Sequence, residues 1–166
     1  MTDYSHLPYR PCAGVMLVNR DGRVFVGQRL DSVLEAWQMP QGGIDPGEAP
    51  LDAAIRELGE EAGIAPEHIE LVAEAPEELE YDLPDDLIGK VWKGKWRGQR
   101  QRWFLFRFTG DDHHIDIATA EPEFRAWRWV EPADIPDLIV PFKRDLYRRL
   151  LQLFGEPLGL SDEATG

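Results

Sequence analysis

The alternation of apolar and polar residues along the chain predicts a mixed α/β domain. Two strands are predicted over Ala13–Asn19 and Val24–Gln28, joined by a turn at Asp21-Gly22. Further strands are predicted in the segments HIELVAEAP, ELEYDLP, RQRWFLFRFTG and FRAWRWVEP. Because strands and helices do not alternate strictly, we expect a mixed β-sheet packed between helices. One domain is predicted over residues 1–154, followed by a disordered tail over residues 155–166.

Two segments have the 3.6-residue periodicity of amphipathic helices. In APLDAAIRELGEEAG, Pro50 suits the first turn and Gly63 the C-terminal stop. The second predicted helix lies in VPFKRDLYRRLLQLFG. Each helix has an apolar face for the core, formed in the first by Leu51, Ala54, Leu58 and Ala62, and in the second by Leu146, Leu150, Leu153 and Phe154.

The first helix also concentrates acidic side chains. Glu57, Glu60 and Glu61 are neighbours on one helical face, where each like-charged pair costs about 0.2–0.5 kcal/mol. We expect these carboxylates to project away from the packing surface, toward the PQGG loop. They are either a solvated acidic face or a site for Mg²⁺ or Mn²⁺, which prefer carboxylate ligands. Their spacing alone leaves both interpretations open.

A longer pattern surrounds these glutamates. Reading from Gly42, it continues through Glu48, the Arg56-Glu57-Leu58 run, Glu60-Glu61 and Gly63-Ile64, and it resembles the Nudix box at every defining position. The resemblance implies an α/β/α sandwich with a mixed sheet, in which the box forms a loop–helix–loop. It also implies hydrolysis of a nucleoside diphosphate linked to another moiety.

The same resemblance implies roles for the residues of the box. Glu57, Glu60 and Glu61 would bind Mg²⁺, for which Mn²⁺ or another divalent cation can substitute, and Glu57 or Glu60 would be the general base. Glu48 and Arg56 would pair to fix the loop on the helix, and Gly42 and Gly63 would be structural.

Segments outside the box resemble one branch of the family, which contains bacterial RNA pyrophosphohydrolases and diadenosine tetraphosphate hydrolases. They are YRPCAGVML, AWQMPQGGIDPGE, GQRQRWFLFRF and PEFRAWRWV…PFKRDLYRRL. This resemblance implies that Glu123 and the backbone carbonyl of Gln41 bind metal. It also implies that basic side chains contact phosphates, namely Arg10, Arg29 and Lys143. Phe142 would stack on the first bases of RNA, although a core position at the helix start is an equal alternative for this ring.

The resemblance supports two substrates. The first is RNA with a 5′-triphosphate end, which would lose pyrophosphate, keep a 5′-monophosphate and so become open to decay. The alternative is a dinucleoside polyphosphate such as diadenosine tetraphosphate, cleaved to ATP and AMP. A third possibility is a non-catalytic nucleotide-binding module, against which the complete glutamate set argues. We expect a monomer that binds neither DNA nor membranes.

The charge of the chain as a whole differs from the charge of one of its segments. The net charge of −13 argues at first against a polyanionic partner, but seven basic and no acidic residues lie from Lys90 to Arg107. Fields act locally at short Debye lengths, so this stretch can still face a phosphate chain. The single cysteine, Cys12, excludes an internal disulfide and fits a cytoplasmic protein. No apolar run is long enough to cross a bilayer.

Two conspicuous clusters are assigned to structure rather than chemistry. Strand alternation in RWFLFRF separates Trp103 and Leu105 from Phe104, Phe106 and Phe108, so most of these aromatics are expected in the core. The histidine-containing segment DDHHID (Asp111–Asp116) is interpreted as a polar loop between two strands rather than as a zinc site.

Overall fold

The computed structural model describes residues 6–30, 36–120, 122–155 and 158. The described residues form eight strands: β1 (Tyr9–Val18), β2 (Val24–Arg29), β3 (Trp37–Gln38), β4 (Gln41–Gly43), β5 (Ile69–Glu74), β6 (Leu79–Asp82), β7 (Gly98–Phe108) and β8 (Phe124–Val130). The α-helices within them are α1 (Pro50–Ala62), α2 (Ile135–Leu138) and α3 (Arg144–Leu153).

The strands build one mixed sheet. Its main path has the order β3-β2-β1-β7-β5, while β4 pairs with β1, β6 with β7 and β8 with β2. The central strands β1 and β7 run parallel, from the Tyr9–Gly98 pair to the Val18–Arg107 pair. The pairings around them are antiparallel. The predicted mixed sheet is therefore confirmed.

Two hydrophobic clusters cover opposite faces of this sheet. On one face, Leu58 of α1 packs with Phe104 and Phe106 of β7. On the other face, Leu150 of α3 packs with Trp103 and Leu105 of the same strand. The alternation predicted for β7 is confirmed, and the result is an α/β/α sandwich in which β7 contributes to both cores.

Helix α1 begins and ends as the sequence predicts. Pro50 occupies the first turn, where its missing N–H is not needed. Gly63 adopts the left-handed conformation with φ 65°, and its N–H donates to Gly59 O at 3.0 Å. A Cβ atom on Gly63 would also meet Asp116 O at 2.5 Å, so the helix end and the loop after β7 fit only around glycine.

Three short elements were not predicted, namely β3, β4 and α2. They contain two, three and four residues, which is too few to show a period. Most of the predicted disordered tail lies outside the described residues. Among the helices of the described chain, none has the length and apolar character that a membrane crossing requires.

Candidate active site

Three glutamates of α1 have different environments. Glu61 is only 3% exposed and the Glu57 side chain 13%, whereas the Glu60 side chain is 56% exposed. The expectation that all three project away from the packing surface is therefore wrong for Glu57 and Glu61. The core of the sandwich extends to this end of the helix, and periodicity could not show that a loop would cover it.

The covering loop is the one that contains β4, and it lies unusually close to the helix. A Cβ atom on Gly42 would be 2.2 Å from Glu57 Cδ. Next to it, the backbone amide of Gln41 donates a hydrogen bond to the Glu61 carboxylate. Gly42 and Gln41 therefore form the wall against which the two buried carboxylates are held.

A bidentate ion pair fixes this loop to the helix. Arg56 Nε donates to Glu48 Oε2 and Arg56 Nη2 to Glu48 Oε1, both at 2.9 Å. Arg56 Nη2 also donates to Gly43 O at 2.9 Å. The pairing between Glu48 and Arg56 is thus present as predicted, and it lowers the pKa of Glu48 to about 2.

The same guanidinium also reaches the other carboxylates of the helix. Arg56 Nη1 donates to Glu57 Oε1 at 2.8 Å and to Glu60 Oε2 at 3.1 Å. The pKa of Glu57 is nevertheless raised, because burial outweighs the favourable contact with Arg56. Burial also raises the pKa of Glu61 well above its usual range, and the nearby charges of Glu57 and Glu123 add to the effect.

The glutamates face a pocket of about 560 Å³. It is lined by Arg56, Glu57, Gly59, Glu60, Glu61, Thr119, Ala120 and Glu123. Two buried acceptor atoms at this end of the helix, Glu61 Oε2 and Gln41 Oε1, have no hydrogen-bond partner. Buried polar atoms are almost always paired, so these two require a partner that the protein does not supply. A hard divalent cation fits this all-oxygen donor set.

Glu123 joins the pocket lining from its position immediately before β8. Its carbonyl oxygen accepts the Leu30 N–H at 2.9 Å, where the pairing between β2 and β8 shifts register. Its carboxylate lies 3.8 Å from Arg29 Nη2. The structure therefore brings together the glutamates predicted to bind metal, including the one outside the box.

The basic residues predicted to contact phosphates gather around the start of β1. Arg10 lies against Gly43, where a Cβ atom would be 2.8 Å from Arg10 Nη2. The charges of Arg10, Lys143 and Glu57 all act on the thiol of the fully buried Cys12. Burial raises the pKa of this thiol to about 11, so it stays protonated and serves as a small core residue.

Lys143 and Phe142 lie on the α3 side of the same region. The Lys143 amine is 5.1 Å from the centre of the Tyr81 ring, and the Phe142 ring is 5.8 Å from it. Burial and the nearby Arg29 lower the pKa of Lys143 to about 8. Phe142 is 39% exposed, which excludes the core alternative for its ring.

Sequence reasoning missed two residues of this region. Tyr81 supplies the ring beneath Lys143. Its sequence position could have indicated that it is buried, because it lies two residues after Leu79 and so on the same face of the strand. Thr119 lines the glutamate pocket from the loop between β7 and β8. Nothing in the sequence distinguishes this threonine from a surface residue.

The histidine-containing loop lies between β7 and β8, as expected. Asp111, His113 and His114 bring one ligand atom each within 4.8 Å of the others, closer than the sequence suggested. In the structure, however, His114 Nδ1 accepts the Asp111 N–H at 3.0 Å and so caps a short 3₁₀ helix over Asp112–His114. That bond uses the lone pair of His114 that would otherwise bind a metal.

An α/β/α sandwich with buried carboxylates on a loop–helix–loop is the arrangement expected for a metal-dependent phosphoanhydride hydrolase. The NUDIX domain model matches residues 8–150, which is most of the chain. The chain therefore belongs to the NUDIX family of hydrolases, whose members use divalent metal ions.

Individual relatives agree with this assignment. The chain is 66% identical to an RNA pyrophosphohydrolase of Sphingopyxis alaskensis, over 93% of this chain and 98% of that protein. It is 58% identical to an RNA pyrophosphohydrolase of Roseobacter denitrificans, over 92% and 95% of the two chains.

Solved structures show the same fold. A C. elegans Ap4A hydrolase in a binary complex superposes with a TM-score of 0.62 at 25% identity, covering 85% of this chain and 94% of that one. The E. coli dihydroneopterin triphosphate pyrophosphohydrolase has a TM-score of 0.65 at 22% identity, over 86% and 96% of the two chains.

Proposed function

We propose that this protein is an RNA pyrophosphohydrolase. It removes pyrophosphate from the 5′-triphosphate end of RNA and leaves a 5′-monophosphate, which promotes decay of the transcript. The observation that carries the proposal is the 66% identity to a relative of that name over nearly the whole length of both proteins. The carboxylate pocket beside a group of basic and aromatic side chains supports it.

Mg²⁺ is the proposed cofactor, with Mn²⁺ or another divalent cation as a substitute. Glu57, Glu60, Glu61 and Glu123 would hold it, together with the backbone carbonyl of Gln41. When bound, the cation supplies positive charge that offsets the phosphate oxygens and makes water more acidic. The unpaired Glu61 Oε2 and the all-oxygen donor set support this assignment.

The remaining residues bind and orient the substrate. Arg10, Arg29 and Lys143 would neutralise the phosphate chain, and the exposed ring of Phe142 would stack on the first bases. Either Glu57 or Glu60 would take the proton from the attacking water. Glu48, Arg56, Gly42 and Gly63 keep the loop and the helix in register, so that the carboxylates stay where the phosphates arrive.

The second candidate is hydrolysis of a dinucleoside polyphosphate such as diadenosine tetraphosphate, giving ATP and AMP. The likeness to the C. elegans Ap4A hydrolase favours it. Both substrates share the phosphoanhydride chain that the glutamates and basic residues would bind. One protein can therefore carry both activities.

A direct comparison of substrates tests the proposal. We would measure kcat/KM for a 5′-triphosphorylated oligoribonucleotide and for diadenosine tetraphosphate at equal Mg²⁺, with the Glu60→Gln variant as the catalytic control. We expect faster turnover of the RNA and a loss of several orders of magnitude in the variant, with its fold intact. Rapid cleavage of the dinucleotide alongside an untouched RNA end would replace the first candidate by the second.

We also propose a monomer that acts in the cytoplasm as a single catalytic domain. Sedimentation equilibrium with and without Mg²⁺ would measure the first property. A mass of 19.0 kDa is the expected result, and a concentration-dependent doubling would contradict it.

A further inference from the structure

Thr119 lines the glutamate pocket, and its buried hydroxyl has no hydrogen-bond partner in the protein. Buried hydroxyls are normally paired, since losing water without a new bond costs free energy. An unpaired hydroxyl at a pocket wall therefore either destabilises the fold without compensation or forms its hydrogen bond only when a ligand is bound.

The chemistry of the pocket restricts what that partner can be. Among the residues that line it, Arg56 and Thr119 always carry a side-chain hydrogen to donate, whereas the ionised glutamates only accept. Arg56 directs its donors to Glu48, Glu57, Glu60 and Gly43. The Thr119 hydroxyl is then the side-chain donor of this pocket lining that has no acceptor.

The loop around Thr119 is held at a defined place beside α1. The Asp116 N–H donates to Ala62 O at 2.8 Å, which ties the loop to the last turn of the helix. The Ala118 N–H donates to Asp116 Oδ1 at 2.9 Å, one residue before Thr119. The backbone next to Thr119 is thus held before any ligand binds, which reduces the entropy lost on binding.

We propose that the Thr119 hydroxyl donates a hydrogen bond to a phosphate oxygen of the bound substrate and so positions the phosphoanhydride against the glutamates. The other walls of the pocket carry carboxylates, which are acceptors and repel an anion. A neutral donor attracts a phosphate oxygen without weakening the attraction of the carboxylates for a cation. The proposal rests on the proposed function only in that the substrate contains a phosphoanhydride.

Two substitutions separate the hydroxyl from the shape of the side chain. Thr119→Val keeps the shape and removes the hydroxyl, whereas Thr119→Ser keeps the hydroxyl. We expect kcat/KM to fall about 10- to 100-fold in Thr119→Val, the range for a hydrogen bond to a charged group, and to change less than about threefold in Thr119→Ser. Thr109→Val, at the exposed start of the same loop, is the matched control and should retain wild-type kcat/KM.

The melting temperature is a second readout. If the hydroxyl had a purely structural role, its removal would lower the melting temperature, whereas the proposal expects no loss. Removing an unpaired buried hydroxyl should leave the melting temperature of metal-free Thr119→Val equal to or above that of wild type. A fall of more than about 3 °C would show that the hydroxyl already has a protein partner and would overturn the proposal. Equal losses of kcat/KM in the valine and serine variants would overturn it as well.

Direct binding distinguishes the phosphate from the cation. We would titrate methylenediphosphonate, which keeps two phosphorus groups but cannot be hydrolysed, into protein with Mg²⁺, and titrate Mn²⁺ alone in parallel. Thr119→Val should weaken the diphosphonate by about 10-fold or more and leave Mn²⁺ binding unchanged. Weakened Mn²⁺ binding with unchanged diphosphonate affinity would assign the hydroxyl to the metal instead.

These measurements do not depend on which phosphoanhydride is the main substrate. If wild-type protein cleaves diadenosine tetraphosphate and leaves RNA intact, the proposed function fails. The Thr119 comparison is then made with the dinucleotide and still decides the role of the hydroxyl.

Discussion

Gly42 and Glu57 are in such close contact that residue 42 cannot carry a side chain. A Cβ atom there would lie 2.2 Å from Glu57 Cδ and 2.3 and 2.4 Å from its two carboxylate oxygens. Atoms of ordinary side chains never approach so closely, so either the loop or the glutamate would have to move. The position of Glu57 thus depends on a residue fifteen positions earlier in the chain.

Gly42→Ala should therefore displace Glu57. We expect kcat/KM to fall by about 100-fold or more, since small misplacements of a catalytic group have effects of this size. Gly59→Ala is the matched control for stability, because its Cβ would meet only Ile64 O at 3.7 Å. That change should raise the melting temperature by about 2–4 °C, through the higher helix propensity of alanine. Wild-type kcat/KM in Gly42→Ala would show that Glu57 tolerates displacement.

Glu61→Gln should separate stability from metal binding. In metal-free protein, the change removes a buried carboxylate with an unpaired oxygen, so the melting temperature should rise. Wild type should also be stabilised by added Mg²⁺ or Mn²⁺ through mass action, whereas the variant should respond weakly. Glu60→Gln is the matched comparison: its exposed carboxylate already contacts Arg56, so the metal response should fall without a gain in stability. An unchanged metal response in Glu61→Gln would remove this residue from the site.

The ion pair between Glu48 and Arg56 should make stability depend on pH in the acid range. The pKa of Glu48 is lowered from 4.5 to about 2 by its bonds with Arg56, so the pair stabilises the fold fully above pH 4.5. This stabilisation should be lost as the pH falls from about 4.5 to 2. Urea unfolding should then show Glu48→Gln less stable than wild type at pH 7, with the difference shrinking toward pH 2. Asp85→Asn, at an exposed position, serves as the control for the loss of a surface carboxylate.

Lys143 should give kcat/KM an alkaline limit. Its pKa is lowered to about 8, so the amine is charged below pH 8 and loses its attraction for phosphate above it. Between pH 7 and 9.5 the wild-type kcat/KM should therefore fall. Lys143→Arg keeps its charge throughout and should show a flatter profile, even if its activity at pH 7 is lower. Parallel profiles in the two proteins would assign the decline to another group.

Phe142→Ala should weaken RNA specifically. The ring is 39% exposed, so its removal should cost little stability, while loss of stacking should lower kcat/KM for RNA by about 5- to 100-fold. Binding of methylenediphosphonate, which has no base, should be unchanged. In contrast, Phe154→Ala removes a ring that is 1% exposed and should destabilise the fold by about 3–5 kcal/mol. Unaltered RNA turnover in Phe142→Ala would contradict the stacking role.

The long elements were predictable because each repeats its period several times. Helix α1 shows its apolar face over three turns, and the apolar residues of β7 alternate between the two cores from Trp103 to Phe108. The Nudix box then fixed which carboxylates belong together. Glu123 lies outside the box, and only the resemblance to the family identified it. The pairing of β2 with β8 brings it to the pocket.

The sequence could not show how deeply each side chain of the site is buried. Glu60 and Glu61 are adjacent in sequence, yet Glu60 is exposed and Glu61 buried, because the loop with Gln41 covers Glu61 and leaves Glu60 open. Similarly, nothing local marks Thr119, whose position depends on the contact of its loop with Ala62. Both properties arise from packing between segments distant in sequence, which a local pattern does not record.

Arg56 gives the protein an internal counterion. Its guanidinium contacts Glu57 and Glu60 while two bonds hold it to Glu48, so the acidic cluster is partly neutralised before any ion arrives. An incoming cation must compete with this tethered charge, and a divalent ion does so better than Na⁺ or K⁺. We therefore expect the chain to fold without metal and the pocket to reject monovalent ions at cellular concentrations.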